Sequence, residues 1–261
     1  YRDKTYNAAT DTLKNKIVML GDSYVAGHGT NNVADRMSDL LEKKLGSNYR
    51  VFNLGENGST TTDEFDRLKK FPYKYDKLIL VHVPNDLEYL DVNDDDTQPE
   101  ETSEEGGIGA FFIKESFLVN FISYTRAGQL LQGLIGLFSG ANNTEPEPIP
   151  VYPFSDTTKL NKHISNLKMI DKELKEHNIK LLIVSFPFPG NEDKLAEKYY
   201  NNFVQQLKIN SFNYLDANTI GKQLGRRQQI VSSLDGHPSV KLQKLVTDSI
   251  YKRLQADSWI K

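Results

Sequence analysis

Short apolar runs alternate with helical stripes along most of this chain, and that alternation constrains the fold more than any other feature. Residues 17–20, 49–54, 78–83 and 181–185 are rich in Val, Ile, Leu and Phe, and a weaker run covers 212–215. Each is short enough for a strand. Between them the period changes to that of a helix. Met37, Leu40, Leu41 and Leu45 mark a helix over 33–45 that Gly46 can end. Phe65 and Leu68 mark a short one over 62–70. Leu160, Ile164, Leu167, Ile170 and Leu174 form one stripe over 160–177, and further helices are expected over 193–207 and 240–254. Strands alternating with helices imply a parallel sheet with right-handed crossovers. The near-continuous apolar character of 78–83 fits a strand covered on both faces.

The 261 residues suffice for one large α/β domain with a substantial core, expected to span the whole of 1–261. One connection is too long for an ordinary loop, so an insertion is expected at about 91–150. Its centre, 110–138, is apolar with a helical pattern, and its flanks are acidic or rich in Gly and Pro. That centre fits helices packed on the domain, a cap over a substrate pocket, or a membrane-surface contact. Residues 91–105 hold eight acidic residues and no Lys or Arg, a composition expected of a solvated, mobile loop. Net charge is −3, which argues against a nucleic-acid partner. Cysteine is absent, which excludes disulfides, cysteine nucleophiles and thiolate metal sites. The chain begins at Tyr1 without methionine, as a processed or truncated product would.

Four segments carry polar groups that could act together: Gly21-Asp22-Ser23-Tyr24, Asn53-Leu54-Gly55-Glu56-Asn57-Gly58, Pro84-Asn85-Asp86 and Asp235-Gly236-His237-Pro238. Ser23, Gly58 and Asn85 each follow an apolar run, and ligands of parallel sheets bind beyond the carboxyl ends of strands. A serine hydroxyl is a weak nucleophile until a base stands within hydrogen-bond reach. His237 is the histidine with an acid beside it in such a segment, and Asp235 could orient its ring and stabilise its charged form. Asp22 is read as a brace for the serine loop, and Gly55 as a simple turn residue. His28 could touch substrate, whereas His82, His163 and His177 read as structural. No histidine pair has zinc-like spacing with a third ligand, so no metal is expected. There is no Gly-Lys-Ser/Thr and no dinucleotide fingerprint, so no nucleotide or other cofactor is expected.

The four segments resemble the motifs of the SGNH (GDSL-type) hydrolase superfamily, particularly exported bacterial esterase and O-acyltransferase domains. The matching residues are Gly21, Asp22, Ser23, Gly27 and Gly29, then Asn53, Gly55 and Gly58, then Asn85 and Asp86, then Asp235, Gly236 and His237. Two departures are Val83 where a glycine is common and a single residue between Asp235 and His237 where two are common. The resemblance implies a flavodoxin-like three-layer α/β/α sandwich around a mostly parallel five-stranded sheet, with the helical insertion after the third strand. It implies a catalytic set of Ser23, His237 and Asp235, and an oxyanion hole formed by the Ser23 N–H, the Gly58 N–H and the Asn85 amide. It further implies an esterase acting through an acyl-enzyme on Ser23, on a small-molecule or glycan ester, with an O-acetyl group on a glycan as the expected substrate. An O-acetyltransferase, a lipase or broad carboxylesterase, and a non-catalytic glycan-binding domain are the alternatives. Extracytoplasmic placement is expected with it, and an N-terminal anchor preceding Tyr1 could give membrane association.

Overall fold

A computed structural model describes residues 15–88, 153–191 and 193–260. The insertion at 91–150 and its acidic flank lie outside the described residues.

Five strands form one parallel sheet in the order β2-β1-β3-β4-β5: β1 (Asn15–Gly21), β2 (Tyr49–Gly55), β3 (Lys77–His82), β4 (Lys180–Ser185) and β5 (Tyr214–Asp216). This is the flavodoxin-like order, with its topological switch between β1 and β3. Alternate residues of each strand feed opposite layers. Ile17, Met19, Ile79, Val81, Leu182 and Val184 face one layer, while Val18, Leu20, Leu78, Leu80, Leu181 and Ile183 face the other. The first layer is closed by Met37 and Leu41 of α2 (Met37–Leu45) and by Leu242, Val246, Ile250 and Leu254 of the last helix (Val240–Ala256). The second is closed by α3 (Thr61–Lys69), by the Leu160-to-Leu174 stripe of the helix Thr157–Glu176, and by Tyr200, Phe203 and Leu207 of the helix Lys194–Ile209. Full burial of each such side chain contributes roughly 2 kcal/mol, so both faces of the sheet are strongly held.

Helix ends follow local chemistry. Asp156, Asp193 and Ser239 cap their helices through side-chain oxygens, and Thr60 with Asp63 forms a reciprocal capping box at the start of α3. Gly46 ends α2 as expected, at φ +78. The helix expected over 33–45 is broken. Val33–Asp35 is a 3-10 turn, Arg36 is extended, and α2 starts at Met37. At the break Arg36 is 3 % exposed, donates from Nε to Asp39 Oδ2 at 2.9 Å, and its stem lies where a Cβ on Gly27 would stand.

Candidate active site

The serine turn is built at the carboxyl end of β1. Asp22 caps the short helix α1 (Ser23–Ala26): its Oδ1 accepts from Tyr24 N–H at 2.9 Å. Its Oδ2 accepts from Ser23 Oγ and from Asn85 Nδ2, each at 3.2 Å. Asp22 therefore joins the ends of β1 and β3 across the switch point. Burial is the main cause that raises its carboxyl above the usual range, against the hydrogen bonds of Tyr24, Asn85 and Ser23.

The expectation that Gly55 is a simple turn residue is corrected. A Cβ on Gly55 would lie 2.1 Å from Ala26 N and 2.6 Å from Val25 C. Only glycine lets α1 lie against the end of β2. Asn53 fixes the same contact, donating from Nδ2 to Val25 O at 2.7 Å and to Ser38 Oγ at 2.8 Å, while its Oδ1 accepts from Gly55 N–H at 2.9 Å.

His237 reaches the serine from a loop closed by an Ile230–Pro238 bridge and a Val231 N–H bond to His237 O at 3.0 Å. Its Nε2 lies 3.1 Å from Ser23 Oγ, and its Nδ1 lies 2.6 Å from Asp235 Oδ1. The same Oδ1 accepts the His237 backbone N–H at 3.0 Å. One intervening residue is thus enough for Asp235 to hold both backbone and ring. Partial burial pushes the Asp235 carboxyl up, but the two His237 hydrogen bonds and the His237 and His28 charges outweigh it and hold it below its usual value. Two rings fix the imidazole sideways. Tyr24 meets it edge-on at 5.7 Å, and His28 lies against it at 4.0 Å with 31° between planes.

Gly58 lies in the turn after β2, with φ +75 and open space where a Cβ would stand. Its glycine is required by the left-handed backbone, with no close neighbour forcing it. The turn is tied to β1 by Glu56 N–H donating to Gly21 O at 3.1 Å. Arg67, which sequence reasoning missed, binds the same region. It donates to Leu54 O at 3.2 Å, Glu56 Oε2 at 2.7 Å, Ser59 Oγ at 3.2 Å and Gly21 O at 3.4 Å. Nothing local marks it, because all these partners lie outside its own helix.

Behind the serine turn lie two further buried carboxyls, Glu64 and Asp86. Burial first, and then the charges of Asp86 and Asp22, raise Glu64 well above its usual value; burial and then Asp22 do the same to Asp86. Asp86 Oδ2 accepts from Val83 N–H at 2.9 Å, which sets the start of the Asn85 turn. Asp86 thereby shapes the loop that carries Asn85.

No family model matches the chain, and no curated protein matches it. Solved structures do. A lipase/acylhydrolase from Enterococcus faecalis matches at 14 % identity with a TM-score of 0.55, over 95 % of this chain and 97 % of that one. A lipase from a goat rumen metagenome matches at 15 % identity with a TM-score of 0.55, over 92 % and 97 %. A member of the lipolytic protein G-D-S-L family from Veillonella parvula DSM 2008 matches at 11 % identity with a TM-score of 0.50, over 92 % and 96 %. The chain has the fold of these three proteins, as the resemblance of its motifs implied.

Proposed function

We propose that this protein is a serine esterase of the SGNH type that cleaves carboxylic esters through an acyl-enzyme on Ser23. The observation that carries the reading is the position of His237, between Asp235 Oδ1 at 2.6 Å and Ser23 Oγ at 3.1 Å. In the proposed reaction His237 Nε2 takes the Ser23 proton while Oγ attacks the ester carbonyl. Nδ1–H stays bonded to Asp235, whose carboxylate offsets the imidazolium charge. The oxyanion accepts from the Ser23 N–H, the Gly58 N–H and Asn85 Nδ2, and a single such donor is worth roughly 3 kcal/mol elsewhere. Collapse expels the alcohol, which takes the proton from His237, and water, activated by the same ring, releases the acid. Asp22 competes for the serine proton at 3.2 Å.

For the substrate we propose a short O-acyl group, acetyl, on a glycan. This rests on the motif resemblance to exported bacterial esterases, and placement outside the cytoplasm is proposed with it. Ser23→Ala is expected to lower aryl acetate turnover by about 10³-fold or more without unfolding the protein. Intact-mass measurement after brief exposure to acetyl, butyryl and octanoyl aryl esters is expected to show one acetyl adduct, absent from Ser23→Ala. Near-wild-type turnover by folded Ser23→Ala overturns the mechanism. Faster octanoyl than acetyl turnover replaces the glycan reading with a lipase, and acylated sugar in place of free acetate replaces hydrolysis with transfer.

A further inference from the structure

His28 has no part in the proposed reaction, yet the fold places it against two residues that have. It directly follows the C-cap Gly27 of α1, and its N–H donates to Ser23 O at 2.9 Å. Its ring lies on that of His237, and its Nε2 stands 4.0 Å from Asp235 Oδ2, the carboxylate oxygen that His237 does not use. That gap is too long for a hydrogen bond. One potential ligand atom each from His28, Asp235 and His237 lies within 4.8 Å of the others, the one such set among the described residues.

We propose that these three residues form a binding site for a divalent transition-metal ion, Zn²⁺ or Cu²⁺ in chemical class, whose occupation reversibly shuts off the esterase. The inhibitory part rests on the proposed Ser23–His237–Asp235 reaction; the binding part does not. Two imidazoles and a carboxylate suit Zn²⁺ and Cu²⁺, whereas Mg²⁺ and Ca²⁺ seek oxygen-only shells. Zinc bonds of about 2.0–2.2 Å put tetrahedral ligands roughly 3.3–3.5 Å apart. Side-chain movements of about an ångström close the present spacing to that value. The three side chains are 21 %, 16 % and 27 % exposed, so an ion can enter from solvent and keep water in its fourth position.

Binding disables the base by either nitrogen of His237. At Nε2 the ion occupies the lone pair that would take the Ser23 proton. At Nδ1 it displaces the proton shared with Asp235, which leaves to solvent, and the carboxylate then binds the ion where it had oriented the ring. Spacing along the chain does not reveal this set. His28 and Asp235 are 207 residues apart (235 − 28) and meet only because the α1 C-cap and the Asp235 loop share one rim.

The decisive experiment titrates ZnCl₂ calorimetrically into Ser23→Ala protein, which keeps all three ligands and turns nothing over. One Zn²⁺ per chain is expected, with affinity about tenfold or more weaker when His28→Asn or His28→Gln is added, since even outer partners of metal ligands are worth that much. In parallel, Zn²⁺ is expected to inhibit wild-type aryl acetate hydrolysis reversibly by EDTA, with Mg²⁺ inert. The half-inhibiting concentration, relative to each protein's own metal-free rate, is expected to rise at least about tenfold in the His28 variants. No Zn²⁺ binding to Ser23→Ala, or binding untouched by both His28 substitutions, overturns the site. Binding through His28 by a protein whose wild type hydrolyses no ester leaves the metal site standing and overturns the esterase reading in its place.

Discussion

Two pairs of histidine rings lie close together in this molecule, tilted by 31° and 49°, and they have opposite fates. His28 and His237 stand 4.0 Å apart at the rim of the sheet, part-exposed, around the carboxylate of Asp235. His82 and His163 stand 4.7 Å apart inside the second layer, against Phe203. Both are essentially buried, at 0 % and 1 % exposure. Asp86 is 3.7 Å from His82, but its Oδ2 accepts from Val83 N–H, and both ring nitrogens of His82 lack a hydrogen-bond partner among the described residues. Burial drives His82 well below the usual histidine range and His163 down to about 3. Imidazole chemistry therefore depends on surroundings more than on residue type. A ring with a carboxylate and access to water can carry a proton between partners. A ring among Phe side chains stays neutral and acts as a flat core residue.

The sharpest way to break this contrast is to remove one ring from the rim. His237→Gln is expected to lower kcat/KM for aryl acetate on the order of 10³- to 10⁴-fold, while thermal unfolding stays nearly unchanged. A loss under about tenfold in the folded variant would show that the rim pair is not the base. Asp235→Asn tests the carboxylate that sets the two pairs apart. It keeps the shape and is expected to cost about 10³-fold by leaving His237 in the wrong tautomer. Its effect should fall mainly in kcat.

The inner pair should answer to pH and not to substrate. His163 keeps its ring neutral down to about 3, whereas in the unfolded chain it takes a proton near 6.5. Between those values the unfolded state binds more protons, so this residue's contribution to stability falls as pH falls through that window. His163→Leu removes it. The melting temperature of the variant relative to wild type is expected to rise as pH drops from 7 to 4.5, on the order of 5 °C over that interval. Parallel curves would show that the buried ring is not the acid-sensitive group. The comparison matters because the raised carboxyls of Asp22, Glu64 and Asp86 work in the other direction: the folded state binds their protons first, so they favour stability as pH falls. The smallest effect is expected for His82→Leu. Its turnover at pH 7 should stay within about twofold of wild type, and relief of two unpaired ring nitrogens should offset lost ring contacts to within about 1 kcal/mol.

How much of this was legible beforehand differs between local and distant features. The strand runs, the Leu160-to-Leu174 stripe and the stop at Gly46 are written in residues a few positions apart, and the structure contains them within a few residues of their expected bounds. Ser23, Asn85, Asp235 and His237 stood out because each occupies a recognisable local segment. Gly55 was misread because the atoms that forbid a side chain there belong to Val25 and Ala26. The break at Arg36 gave no sign in the apolar stripe, since Arg36 is buried with its stem against Gly27, outside its own helix. Arg67 gave no signal, since its value lies in joining Leu54, Glu56, Ser59 and Gly21.

The sequence by itself determined which segments become strands and helices, and which polar residues stand at strand ends. Periodicity, capping and turn chemistry act over a few residues, and their free energies are settled locally. The tertiary structure decided which of five histidines faces a carboxylate and water, and which two lie sealed in the core. That outcome comes from the sheet order, which brings the ends of β1 and β3 side by side and sends β3 and the helix Thr157–Glu176 to bury His82 and His163 together. Burial and charge set an imidazole's proton affinity, and both are properties of neighbours that the chain supplies only after it has folded.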